Sequence, residues 1–196
     1  MIIIGSRALL YYNIGYEHFH AQIRQINQEL NNKNTPHILD YDIIASIKEI
    51  NEFTEHHKTL NNLIYCKKSS PYKYQVLLAT KEKIEFELDT TASNSLLTEY
   101  IKNKHVNNTN SVTKHSSLNI FAGAAIYFCP LEFLFLMKKS TVTFPVHWYK
   151  NVQDYHFLNN YLNINQRTLN STHNEFFRLR LNENKLKYNK PVINLN

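Results

Sequence analysis

Glycine is nearly missing from this 196-residue chain: three occur, so each is expected where the backbone needs a left-handed turn or a close approach. Cysteine is as scarce. Cys66 and Cys129 stand in different segments with no CxxC spacing, which indicates neither a disulfide framework nor a zinc site, and a reducing compartment is the default. The N-terminus lacks a basic stretch followed by an apolar run and a small-residue cleavage site, so no signal peptide is expected. A Walker-type loop, a dinucleotide fingerprint and a Gly-x-Ser-x-Gly elbow are also missing. One segment, 118–137, is long enough to span a bilayer. It carries Asn119, Pro130 and Glu132, and a strand, a proline break and a short buried helix explain it better than a membrane span. The expected location is cytoplasmic, without a membrane partner.

What is present describes a chain that folds. Hydrophobic residues make up 43% and aromatic residues 13%, too much for disorder, while 19% charge is too little for a solvated tail. The length suits one well-buried core, or a small domain with a second lobe. Formal charge is +6 and pI about 9.2, with lysines spread along the chain, which favours polyanionic partners. Abundant Asn, Ile, Lys and Tyr fit an AT-biased coding sequence. That hints at a phage, a virus or an AT-rich bacterium, and for a phage or virus the location becomes the host cytoplasm.

The periodicities predict an α+β order. An apolar strand covers 2–4. Phe19, Ile23, Ile26 and Leu30 fall on one face of a helix over 17–31. A strand within 37–47 follows, then an amphipathic helix over 48–60 bearing Ile50, Phe53, His57 and Leu60. Strands are expected at 62–67, 74–80 and 83–89, a helix at 93–104, and a polar surface loop or inter-lobe join at 103–117. Beyond it come a strand at 124–128, a helix opened by Pro130, and a helix from 147 to about 162. "NEFFRLRLN" reads as strand or helix. The tail after 182 is expected to be loose.

Two acid pairs carry the chemistry. Asp40 and Asp42 at period two face the same way, roughly 6–7 Å apart along a strand. Carboxylates so placed repel unless something positive sits between them, and a divalent metal is a natural partner. Mg²⁺ takes one or two carboxylates plus waters and phosphates. "KIEFELD" adds Glu85 and Glu87 on one face of another strand, with Ile84, Phe86 and Leu88 on the other. A third carboxylate would let two ions sit about 4 Å apart and clamp an in-line phosphoryl displacement. The bland alternative is two amphipathic strands with acids facing solvent. The ten histidines read mostly as surface or packing residues, although His37, three residues before Asp40, could reach a metal there.

"IIIGSRAL", then "ILDYDIIAS", then "KIEFEL" resembles the nucleotidyltransferase superfamily with the DNA polymerase beta-like fold, in particular its small phage and toxin-type members. In that family a hydrophobic strand or helix leads to Gly-Ser, an Asp-x-Asp lies on the next strand, and a third acid lies on a later one. The resemblance implies that Gly5 and Ser6 hold the triphosphate of an NTP, and that Asp40 and Asp42 bind two Mg²⁺ (or Mn²⁺) ions. Glu87 or Glu85 becomes the third carboxylate, helping to deprotonate an acceptor hydroxyl, with Asp89 a weaker candidate. Arg7 is either a further phosphate contact or a surface cation. Two departures stand out: a full helix intervenes between Ser6 and Asp40, and the third acid is a glutamate.

A second block, "CPLEFLFLMKKSTVTFPVHWYKNVQDYHFL", is similar to the C-terminal helical part of small phage nucleotidyltransferase-like proteins. His147, Lys150 and Asp154 share a helix face there. Lys150 and Asp154 form a surface pair, or Lys138 or Lys139 with Lys150 faces the cleft and neutralises phosphate charge. The implied layout is a catalytic core over 1–105 built on a mixed sheet with flanking helices, a mainly helical part over 116–182, and a tail over 183–196. The implied reaction moves an NMP from an NTP to a hydroxyl on RNA such as tRNA, on a protein, or on a small molecule. The alternatives are a catalytically silent member that binds nucleic acid or protein, and a nuclease using the same acids.

Overall fold

The computed structural model describes residues 1–12, 14–19, 21, 40–106, 120–121, 124–144 and 148–188. Most of the helix expected over 17–31, the start of the strand expected from 37, and His147 therefore lie outside the described residues. The chain gathers into two compact units: Met1–Asp89 with Asn110–Phe128, and Thr90–Thr109 with Cys129–Asn196. The helix expected to close the catalytic core thus belongs to the second unit, and the strand expected near 124–128 belongs to the first.

The first unit is built on a mixed six-stranded sheet. β1 (Ile2–Ile4) is buried at all three positions and runs straight into a short helix, α1 (Gly5–Tyr11). β2 (Tyr41–Ala45) is shorter than the apolar run suggests, because Ser46 starts the next helix. Ser46 Oγ accepts the Glu49 backbone N–H, and the Ser46 N–H donates to the Glu49 carboxylate, a capping box worth about 1 kcal/mol that fixes the start of α2 (Ile47–Thr59). β3 (Leu63–Ser70), β4 (Lys73–Leu78) and β5 (Lys83–Leu88) form a meander, and β6 (Tyr127–Phe128) adds a short edge. The sheet order is β3-β4-β5-β2-β1-β6. β2 is antiparallel to β1 but parallel to β5, and β6 is parallel to β1.

The two faces of this sheet differ because side chains alternate along each strand. On one face Tyr41, Ile43, Val76, Leu78, Ile84 and Phe86 are buried. α2 covers that face: the Phe53 ring lies 5.4 Å from the Phe86 ring and edge-on to it. His57, on the same stripe of α2, is a core residue. Its Nε2–H donates to the Ile120 carbonyl at 2.7 Å, and its Nδ1 accepts from the Asn62 amide. Leu60 does not share the stripe's burial, because α2 ends at Thr59 and Leu60 caps it in the open. The other sheet face carries the acids.

The described elements of the second unit are helices: α3 (Ala92–Val106), α4 (Leu131–Val142), α5 (Trp148–Ile164) and α6 (Ser171–Tyr188). Pro130 is the N-cap of α4, as its missing N–H allows. Among the described residues no helix is long and apolar enough to cross a membrane. α6 resolves the strand-or-helix reading of "NEFFRLRLN" and runs past 182 to Tyr188. Asn184, expected in a loose tail, is buried and donates to Ser140 Oγ at 3.0 Å and to the Ser140 carbonyl at 3.3 Å. Of the three buried residues of α6, two, His173 and Asn184, are polar, so its hydrophobic pattern alone does not reveal a helix.

Candidate active site

Parallel pairing of β2 with β5 sets Asp42 opposite Glu85 and Ile44 opposite Glu87. Paired residues on adjacent strands point to the same face, about 4.8 Å apart, so Asp42, Glu85 and Glu87 share the face turned away from α2. Asp40, just before β2, joins them, since Lys83 Nζ reaches both Asp40 Oδ2 at 2.9 Å and Glu85 Oε1 at 3.5 Å. The two acid pairs expected from the sequence are thus side by side.

Lysines interleave with these acids. Lys73 on β4 lies opposite Glu87, with Nζ 2.8 Å from Glu87 Oε1 and 3.8 Å from Glu85 Oε2. The Gln75 amide donates to Glu85 Oε1 at 3.0 Å. Burial pulls the Lys73 ammonium down, but the carboxylates of Glu87, Glu85 and Asp42 outweigh it and hold the group above the usual lysine range. For Lys83 the hydrogen bond to Asp40 dominates and likewise raises it. Sequence reasoning passed over Lys73, Gln75 and Lys83. Lys83 was legible, because it stands at period two with Glu85 and Glu87, whereas Lys73 needs the β4–β5 register.

Gly5 is where β1 meets this face. Its φ is +68°, and a Cβ there would lie 2.5 Å from Asp42 Oδ2. Both the conformation and the close approach require glycine. Ser6 follows at the first turn of α1 and is buried; its hydroxyl accepts from the Tyr16 hydroxyl at 3.3 Å. Arg7, next along α1, stands against an aromatic ring. Its guanidinium sits 4.3 Å from the centre of the Tyr41 ring, and Tyr41 alternates with Asp42 along β2, so this stack lies on the opposite side of the strand.

Lys138 and Lys150 belong to the second unit. Lys138 Nζ pairs with Asp154 Oδ2 at 2.7 Å and donates to Asn151 Oδ1 at 3.2 Å, with Asp154 only 2% exposed. Asp154 is therefore a buried partner of Lys138. Lys139 lies over the rings of Phe135 and Phe177. Lys150 is exposed on α5.

As ligands for a hard divalent cation, Asp40, Asp42, Glu85 and Glu87 offer only oxygens, and the Asp42 carboxylate lies in the space that a side chain at Gly5 would fill. The donor set fits Mg²⁺ or Mn²⁺ in kind. As arranged, Lys73 and Lys83 serve as the counter-ions, and among the described residues no three His, Cys, Asp or Glu side chains are gathered tightly enough to hold an ion without moving. A cavity of about 340 Å³ lined by Glu49, Glu52, Phe53, His56 and Phe121 opens beside α2, on the other side of the sheet from the acids. No family model, curated protein or solved structure matches this chain.

Proposed function

We propose that the chain is a metal-dependent nucleotidyltransferase of the polymerase beta-like fold that moves an NMP from an NTP to a hydroxyl acceptor, with RNA favoured. One observation carries this reading: the Asp42 carboxylate packs against the bare backbone of Gly5 while register places Glu85 beside it. That supports the order Gly-Ser, Asp-x-Asp, third acid as a spatial cluster and not merely a sequence order.

In this reading Asp40 and Asp42 hold Mg²⁺ or Mn²⁺, with Glu85 or Glu87 as the third carboxylate. The metal, when bound, supplies Lewis-acid neutralisation of the phosphates and eases ionisation of the acceptor hydroxyl. Gly5, bare of a side chain, lets the Asp42 carboxylate stand against the turn, and Ser6 holds the turn through Tyr16. Glu87 accepts the acceptor's proton. The acceptor oxygen bonds the α-phosphorus as the α–β bridge breaks, and pyrophosphate leaves. Lys73, released from Glu87, neutralises phosphate charge from β4.

The pairing of Lys73 and Lys83 with these acids favours a second reading, a catalytically silent protein of the same fold that binds nucleic acid or protein. Thermal shift with Mg²⁺ and each NTP separates the two. An enzyme is stabilised by metal and nucleotide jointly, as mass action requires, and a silent binder is not. Incubation with labelled NTPs and total RNA and protein then identifies the fraction that gains label. Fully active Asp42→Asn protein would sink the metal-site reading.

A further inference from the structure

We propose that the exposed β3 edge next to the acids is a docking platform for a single-stranded RNA acceptor, which names the acceptor of the reaction proposed above and rests on that reading. The β3–β4 register assigns faces along this edge. Tyr65 pairs with Leu77 and Lys67 with Gln75, so Tyr65 and Lys67 lie on the face of Gln75, Lys73, Glu85 and Asp42. Lys68 pairs with Tyr74 and Cys66 with Val76, which places them on the opposite face.

The chemistry of this stretch is one-sided. Between Glu55 and Glu82 there is no acidic residue, while Lys58, Lys67, Lys68, Lys73 and Lys81 all fall in the interval. β3 is the edge strand, and Lys67 and Lys68 are exposed on it. Lys67 Nζ sits 5.1 Å from the centre of the Tyr65 ring, and Tyr72, at the β3–β4 turn, is 56% exposed. A cation beside an aromatic face on two strands that carry no acid of their own matches what a phosphate backbone with unstacked bases needs: charge for the phosphate and a ring for the base.

Distance agrees with the role. β3 is two strands from β5, about 10 Å at normal strand spacing, or one to two nucleotides of extended chain. A strand seated on Tyr65 and Lys67 therefore brings its terminal hydroxyl over Glu85 and Glu87. Lys73, between the platform and those acids, extends the positive track to the site.

The test measures anisotropy of a 5′-labelled, 12-nucleotide single-stranded RNA with the full chain across a salt series, without NTP or metal. Tyr65→Ala should weaken binding by about fivefold or more, while Tyr65→Phe, which keeps the ring, should bind as wild type. Lys67→Gln should flatten the slope of log affinity against log salt by about 0.7, the loss of one phosphate contact. Lys68→Gln makes the same charge change on the opposite face and should leave affinity within about twofold. Equal losses for Lys67→Gln and Lys68→Gln overturn the platform, as does an absence of RNA binding by wild type or label transfer to protein alone. The Lys67 and Lys68 comparison decides the matter even where Tyr65→Ala lowers stability. Labelled-NTP transfer, measured separately, distinguishes the two failures: face-selective binding without transfer removes the enzyme reading, and transfer to an acceptor without face-selective binding removes the platform.

Discussion

The Asp42 carboxylate occupies the space where a side chain on Gly5 would stand, 2.5 Å from the site of a Cβ. Gly5→Ala meets two penalties, an alanine at φ +68° and a displaced carboxylate. The expected cost is about 1–3 kcal/mol of stability. Denaturant melts read this directly, and transfer should fall further than the stability loss explains. Unchanged stability and activity would remove Gly5 from the site.

Asp42→Asn keeps the shape beside Gly5 but gives up the charge that a cation needs. The protein should fold as wild type, lose the joint Mg²⁺ and NTP thermal shift, and lose transfer by at least about a hundredfold. Radiolabelled NTP assays beside circular dichroism check both halves.

Lys73 is held charged by Glu87, Glu85 and Asp42 against the pull of burial. Its folded-state pKa is raised, so its contribution to stability is complete below the unfolded value near about 10.4 and is lost as pH rises through the folded one. Wild type should therefore lose stability in the alkaline range above about pH 10. In Lys73→Gln, denaturant melts should show lower stability at neutral pH and a shallower alkaline decline. A decline as steep as wild type's would show that the pair contributes nothing.

His173 titrates in the opposite sense. Its Nδ1 accepts the Asn170 N–H at 3.0 Å while Asn170 Oδ1 accepts the His173 N–H, a reciprocal cap at the start of α6. Burial lowers its pKa, with Glu132 opposing and Lys104 assisting. The neutral form is native, so this contribution is complete above about pH 6.5 and is lost as pH falls below it. His173→Gln keeps an acceptor without a titrating ring, and its melting temperature should vary less than that of wild type between pH 7.5 and 5.5.

Lys138→Ala leaves Asp154 buried without its ammonium. A loss of about 3–5 kcal/mol is expected, far above a surface pair's worth. If Lys138 instead serves the reaction without supporting the fold, melts will match wild type while activity drops.

Much of the fold was legible where local chemistry decides it. The three isoleucines of β1, the alternating acids and apolar residues of β5, and Pro130 before α4 each announce their element, because burial on one face or a missing N–H leaves one local solution. The Ser46–Glu49 box was also readable as a helix start. Two features were not: the run of α6 beyond 182, which is held by Asn184 on Ser140, and the partner of Asp154, which lies on another helix.

For the candidate site, the sequence by itself determined which residues could hold an oxygen-loving cation and that each acid pair shares a face, since a strand has period two. Only the tertiary structure decided that β2 and β5 are neighbours and parallel, which puts Asp42 beside Glu85. It also decided that Lys73 neutralises Glu87, that Arg7 stacks on Tyr41 on the other side of β2, and that Gly5 must be bare because Asp42 leans on it. Period two tells which residues of one strand face together. Register between strands far apart in sequence is set by the packing of the whole sheet, and no local pattern carries it.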